Sequence, residues 1–143
     1  MSIQIIYLLL ICLIYCIVCF MYGKYRSNNP EFNDPLLYKF GIGDMDGWSV
    51  VHIFEFILLG FLFPDYFYLA IFLGILWELF EFYCEYKKPK WLMGYGFTLN
   101  TVKCDNKNEG KEQIWWYGKI SDIFFDIIGF TIGMNIRKLN FKK

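Results

Sequence analysis

The sequence predicts an all-α integral membrane protein of about four transmembrane helices with a polar loop before the last, and three observations carry that prediction. Hydrophobic residues make up 57% and aromatic residues 22% of the 143-residue chain, more than soluble domains use, and the mean hydropathy is positive. The apolar residues fall in long runs at 3–21, 48–63, 66–83 and 120–136, each near the ~20 residues a helix needs to cross a hydrocarbon core. Turn-forming and charged stretches at 22–47 and 84–119 divide the runs. The length suits a single membrane domain, 1–143. A net charge of zero supplies no global field to attract nucleic acid or an acidic partner.

The first run is almost wholly aliphatic. It lacks a charged n-region and a small-residue cleavage site, and its apolar core exceeds that of a signal peptide, so an anchor is expected. Cys12, Cys16 and Cys19 recur at i, i+4, i+7 and share one helical face, where they read as small apolar packing residues. The connector 22–47 holds two turn signals, Asn28-Asn29-Pro30 and Asp34-Pro35. Pro64-Asp65 then splits the apolar stretch 48–83 into a helical hairpin. Each of its arms is slightly short for a ~30 Å core, so local thinning or polar helix extensions are expected.

The loop 84–119 is hydrophilic, with seven lysines, and its aromatic, glycine-containing patch at 91–97 suits a membrane interface. Cys84 and Cys104 flank this loop without any Cys/His spacing of a zinc site. Trp115-Trp116 leads into the last run, which ends in the basic pair Arg137-Lys138.

The apolar runs are interrupted by ionisable residues: His52 and Glu55 in the second, Glu78 and Glu81 in the third, Asp122 and Asp126 in the fourth. Such a group costs roughly 2.5–3.5 kcal/mol at a bilayer centre on insertion scales, and by default marks a functional site. With four spans, the second leaves from, the third returns to, and the fourth leaves from one side. All six residues then converge near one leaflet. Three of the fourteen Lys/Arg residues lie in the connector on that side and seven in the loop, which points to a cytoplasmic site; the four in the C-terminal tail point the other way.

Glu78 and Glu81 at i, i+3 share a helical face, as do Asp122 and Asp126 at i, i+4. Gly129 and Gly133 continue the face of Asp126, so a neighbouring helix is expected to approach closely there. Carboxylates this close in a low-dielectric region cannot all stay ionised unaided. A hard divalent cation held through oxygen resolves the conflict, Ca²⁺ first and Mg²⁺ or Mn²⁺ as alternatives. The alternative is that several carboxylates are protonated, or paired with Lys119 or with neighbouring hydroxyls. His52 at the mouth of the cluster suits a ligand, a general base or a plain inter-helix partner. Glu55, one turn deeper, suits a residue orienting His52, and Asp46 suits a helix N-cap or a site residue. A cation and a base at headgroup depth suit phosphoester chemistry on a lipid.

The string Asp46-Gly-Trp-Ser-Val-Val-His52, the hairpin, Trp77-Glu78-Leu-Phe-Glu81, Trp115-Trp116, Asp122 and Gly129…Gly133-Met134 together resemble the core of the base-exchange phosphatidylserine synthases. The resemblance covers 46–134. It implies an enzyme that exchanges a phospholipid headgroup for L-serine, or a similar amino alcohol, with no nucleotide-activated intermediate. It implies His52 as catalytic base and Glu78, Glu81 and Asp122 as calcium-site carboxylates, with Asp126 substituting for an asparagine. Tyr117 and Gln113 stand where the family carries acidic residues, and Glu55 where it carries glycine. These three, with Asp46, are assigned to the substrate side. The chain lacks several of the family's spans, so a second copy or a membrane partner subunit is an expected companion. A eukaryotic or viral member would be expected in the endoplasmic reticulum membrane.

Two other families share parts of the pattern. Gly118-x-x-x-Asp122-x-x-x-Asp126 is similar to half of the CDP-alcohol phosphotransferase motif, without its upstream half. Asp122 through Gly133, with a histidine in an earlier span, resembles VanZ-like membrane proteins, which lack the Trp-Glu-x-x-Glu element.

Overall fold

The apolar pattern breaks into a turn at Pro64 in the computed structural model, which describes residues 2–29, 33–96 and 116–140. Four α-helices and no β-strand occur among the described residues. Helix α1 (Ile3–Asn28) begins where the Ser2 hydroxyl accepts from the Ile5 amide at 3.3 Å. It continues well past residue 21, where the apolar run stops, because its last turns are tied to the connector. The Tyr22 hydroxyl donates to Asp34 Oδ1 at 2.9 Å, and Arg26 Nε lies 3.1 Å from Asp34 Oδ2. Hydropathy marks where the apolar surface ends, not where the hydrogen-bonded helix does.

Helix α2 (Gly47–Leu62) opens on a capping box: Asp46 accepts from the Ser49 amide at 3.1 Å, and the Asp46 amide donates to Ser49 Oγ at 3.4 Å. Pro64 lacks the amide that would continue α2, and a single 3₁₀ turn, Pro64–Tyr66, leads into α3 (Phe67–Lys87). That helix stops at Lys88, whose φ of 43° is left-handed, immediately before Pro89. Helix α4 (Ile120–Asn140) completes the set.

The hairpin partners α2 and α3 touch little; α2 packs chiefly on α4, and α3 also leans on α4. The contacts between α2 and α4 ascend together along both chains. Ser49 meets Asp122, His52 meets Asp126, Ile53 meets Gly129, Ile57 meets Gly133, and Phe61 meets Arg137. The two helices are therefore parallel, and α3 runs against them.

Glycine makes this approach close. A Cβ on Gly129 would stand 2.5 Å from the Ile53 carbonyl oxygen, and Cβ atoms on Gly60 and Gly133 would collide with the Phe130 and Ile57 carbonyls. At the far end Arg137 donates to the Phe61 and Leu62 carbonyls at 2.9 and 2.8 Å, satisfying groups that the end of α2 leaves open.

Buried side chains form two clusters. Leu8, Phe56, Leu59, Phe63, Ala70, Ile71 and Phe130 fill the end near the Pro64 turn. Cys84, Leu92 and Trp116, with Phe20, Trp77 and Phe80 against them, fill the end where α3 finishes and α4 begins. The outer surface is apolar as well. Leu13, Ile14, Ile17, Val18, Phe54, Tyr68, Leu79 and Phe124 are exposed.

Among the described residues two helices are long and apolar enough to cross a membrane. Their most apolar windows, in Ile3–Asn28 and Pro64–Lys87, have mean hydropathy 2.8 and 1.6 and are only 11% and 22% buried within the protein. A core helix of a soluble domain would be mostly buried.

Gly133→Leu should therefore separate α2 from α4 and lower stability in detergent by at least about 2 kcal/mol, as overpacking does. Ile128→Leu, on an exposed face, should change little. Thermal melting followed by circular dichroism measures both, and a Gly133→Leu protein melting like wild type would contradict the close packing.

Candidate active site

The parallel pairing of α2 with α4 and the return of α3 bring together residues from all three. His52, on the second turn of α2, and Glu78, Asp122 and Asp126 are each no more than 3% exposed. One donor atom from each of His52, Glu78 and Asp122 lies within 4.8 Å of the others, spacing that could hold a metal ion. His52 Nε2 is 3.5 Å from Glu78 Oε1, and that oxygen, buried, has no hydrogen-bond partner among the described residues. A buried carboxylate oxygen left open inside a set of converging donors is what a bound cation would satisfy.

Asp126 plays a different part from the other carboxylates. Its Oδ1 is 2.8 Å from His52 Nδ1. A carboxylate there can accept from the Nδ1–H and so fixes the orientation of the ring, with Nε2 turned toward Glu78. Gly74 on α3 makes room for Asp126: a Cβ at that position would collide with Oδ2.

Glu81 stands beside the cluster. It lines a small recess together with Trp48, His52, Tyr117 and Asp122. Glu55 lies elsewhere, on a separate cavity wall that it shares with His52. Of the six ionisable residues singled out by their position in apolar runs, four therefore meet directly, one borders the recess, and one faces a second space.

The entrances of α2 and α4 are bound by a polar clamp. Asp46 Oδ2 accepts from the Tyr117 hydroxyl at 2.6 Å and from Lys119 Nζ, while the Lys119 amide donates to Glu78 Oε2 at 2.6 Å. Ser49 Oγ donates to Asp122 Oδ1 at 2.7 Å. Ser121 Oγ donates to Asp44 at 2.8 Å. Burial raises the Asp46 carboxyl, but hydrogen bonds from Lys119, Tyr117 and the Ser49 amide outweigh it, leaving the carboxyl below its ordinary value. Burial, with the Asp46 charge adding to it, pushes the Tyr117 phenol well above the usual range.

Trp116 anchors the entry into α4. It is 1% exposed, donates from Nε1 to the Tyr95 carbonyl at 2.5 Å and packs on Phe20, Trp77 and Phe80. Trp115, Gln113 and Cys104 lie outside the described residues. Cys12 and Cys16 border the second cavity, and Cys19 and Cys84 are buried; all four are free thiols.

Ser49, Gly74 and the Lys119 amide belong to the site but carry no mark as ionisable residues in an apolar run. The Asp46-x-x-Ser49 spacing signals a cap, and nothing in it signals a bond to a residue 73 positions away. Lys119 was legible only as a general counter-charge. Its backbone contact with Glu78 depends on the path of the chain.

No protein-family model, no curated protein and no solved structure matches this chain.

The Asp46 carboxyl is more acidic folded than unfolded. Its stabilising contribution is fully present above the unfolded value, about 3.9, and disappears as pH falls through the lower folded value. Asp46→Asn should lower stability by at least about 1 kcal/mol near neutrality by leaving Lys119 without its charged partner. The gap from wild type should close in acid, and melting curves across pH 3–7 would read it. A gap that does not change with pH would place the contribution of Asp46 in its cap alone.

Proposed function

We propose that the chain is a four-span integral membrane protein that transfers phospholipid headgroups with the help of a divalent cation, in the manner of the base-exchange phosphatidylserine synthases. The observation that carries this reading is the buried His52/Glu78/Asp122 donor set with its open Glu78 oxygen. The apolar outer surface of α1 and α3 supports a membrane setting. Helices α2 and α4 supply the two shorter or more polar spans, with His52, Asp122 and Asp126 buried where they meet.

Glu78 and Asp122 would hold the cation, Ca²⁺ by the resemblance, with Glu81 at its side. When bound, the cation would offset the charge of a lipid phosphate. His52 does the proton work. Its Nε2 takes the proton from the hydroxyl of an incoming amino alcohol such as serine. The hydroxyl oxygen forms a bond to phosphorus, the bond from phosphorus to the departing headgroup oxygen breaks, and the proton passes from Nε2 to that oxygen. Asp126 keeps the imidazole in the required tautomer and orientation throughout. The lipid glycerol and acyl chains remain in the bilayer, which the apolar face of the bundle adjoins.

A second reading is favoured by the Ser49–Asp122 and His52–Asp126 hydrogen bonds. In it the polar layer only clamps the helices, and no chemistry occurs there.

Purified protein in phospholipid vesicles, given labelled serine, ethanolamine or choline with and without Ca²⁺, tests the transferase. Label should enter lipid in a cation-dependent way, and His52→Ala should reduce the rate at least about 100-fold. No incorporation under any of these conditions overturns the reading.

Melting in detergent separates the two readings. Added cation should raise the melting temperature by mass action. Glu78→Gln and Asp122→Asn should abolish that rise, while His52→Ala should keep it. A cation with no effect on the wild type supports the clamp, and loss of the rise in His52→Ala makes the imidazole a ligand and not the base.

A further inference from the structure

A cavity of about 230 Å³ lies between α1, α2 and α3, and the chemistry proposed above leaves most of its wall unused. Its wall is mainly apolar, and four aromatic rings contribute to it: Tyr15, Phe56, Trp77 and Phe80. Three of these rings support one another. Tyr15 meets Trp77 edge to face with centroids 6.1 Å apart, and Trp77 meets Phe80 at 5.6 Å. Into this aromatic wall the chain places one carboxylate, Glu55. Among the described residues no lysine or arginine lines the cavity, and His52, which does, is engaged through Nδ1 with Asp126. Helix α1 meets α2 and α3 through large rings and not by close backbone contact, which leaves this space open, with the exposed Leu76 at its rim.

We propose that this cavity binds a small organic ammonium ion, with Glu55 as counter-charge and the Tyr15, Trp77 and Phe80 rings as the cation-accepting wall. Each alternative occupant conflicts with the wall. An anion is repelled by Glu55. A neutral acyl chain would cover Glu55 and leave its charge without a counter-charge in an apolar space, beside only the Tyr15 side chain. A divalent cation needs a converging set of donors, and although Cys12, Cys16 and His52 border the cavity with Glu55, no three of these four bring ligand atoms together within metal-binding reach. An alkylammonium suits it: the charge meets Glu55, and the polarised carbons around nitrogen meet ring faces. The volume fits a group of a few heavy atoms and falls below the ~300 Å³ at which drug-sized ligand pockets begin.

His52 borders both this cavity and the donor cluster, so the ammonium end of an amino alcohol or of a lipid headgroup would lie beside the base. That assignment to the reaction rests on the transferase reading. The binding itself needs neither catalysis nor a divalent cation.

The test uses the full chain in a maltoside detergent with a chelator present, titrated with tetramethylammonium, choline and ethanolamine while tryptophan fluorescence is followed. A neutral alcohol isosteric with choline, with carbon in place of nitrogen, is the control. Saturable quenching by the ammonium ions is expected, with the neutral isostere at least about tenfold weaker, and Glu55→Gln should weaken ammonium binding by about tenfold or more. Trp77→Leu should weaken it similarly. Equal binding of the neutral isostere, which needs no variant to measure, would make the space a simple apolar pocket and overturn the proposal. So would the absence of saturable binding, or full retention of affinity in a folded Glu55→Gln protein. Because no lipid and no divalent cation are present, a negative result here leaves the labelled-serine assay readable, and a silent transferase leaves this binding readable.

Discussion

Everything at the site depends on how closely α2 and α4 lie side by side. Gly60, Gly129 and Gly133 let backbone meet backbone, since any Cβ at these points would strike a carbonyl of the facing helix. That contact sets the register in which Ser49 reaches Asp122 and His52 reaches Asp126. Both pairs lie one or two turns from the glycine contacts, so a displacement of the helices would break short, buried hydrogen bonds. In an apolar surrounding such bonds have no water to replace them, which makes the glycine seam and the polar layer one cooperative unit.

The third helix supplies chemistry and little of the framework. It gives Glu78 to the donor cluster and Glu81 to the adjoining recess, while Gly74 leaves room for Asp126. The amide of Lys119 grips the other oxygen of Glu78. One oxygen is thus held by the entry of α4 while the other stays open toward His52, an arrangement that orients a carboxylate without using up its coordinating capacity. Asp46 performs a comparable double task, capping α2 with one oxygen and receiving Tyr117 and Lys119 with the other.

The expected elements correspond closely to those present, because helix-length apolar runs and proline breaks act locally. Pro64 ends α2 for want of an amide and Lys88-Pro89 ends α3, both within a residue or a turn of the expected bounds at 63 and 83. The largest difference is α1, which reaches Asn28 because Asp34 ties down Tyr22 and Arg26. That is a contact between segments, and hydropathy does not register it. The expected close approach at Gly129 and Gly133 was legible as well, since small residues four apart on a polar-bearing face mark a seam.

The division of labour within the polar set was not legible. Ionisable groups in apolar runs are costly to leave against an apolar surround, which marks all six for shelter, and the packing of α3 and α4 on α2 gathers five of them at one end of the bundle. Periodicity puts Asp122 and Asp126 on one face of α4, yet only the register against α2 sends the first to Ser49 and the second to His52. Likewise His52 and Glu55 share a face of α2, yet the stand-off of α1 leaves Glu55 on an aromatic cavity while His52 reaches both spaces. The sequence by itself determined which elements form and which residues must be sheltered, because those follow from local hydrogen bonding and transfer energy. Only the tertiary structure decided which sheltered residues meet, because that depends on how closely, to within about an ångström, backbones far apart in the chain approach one another.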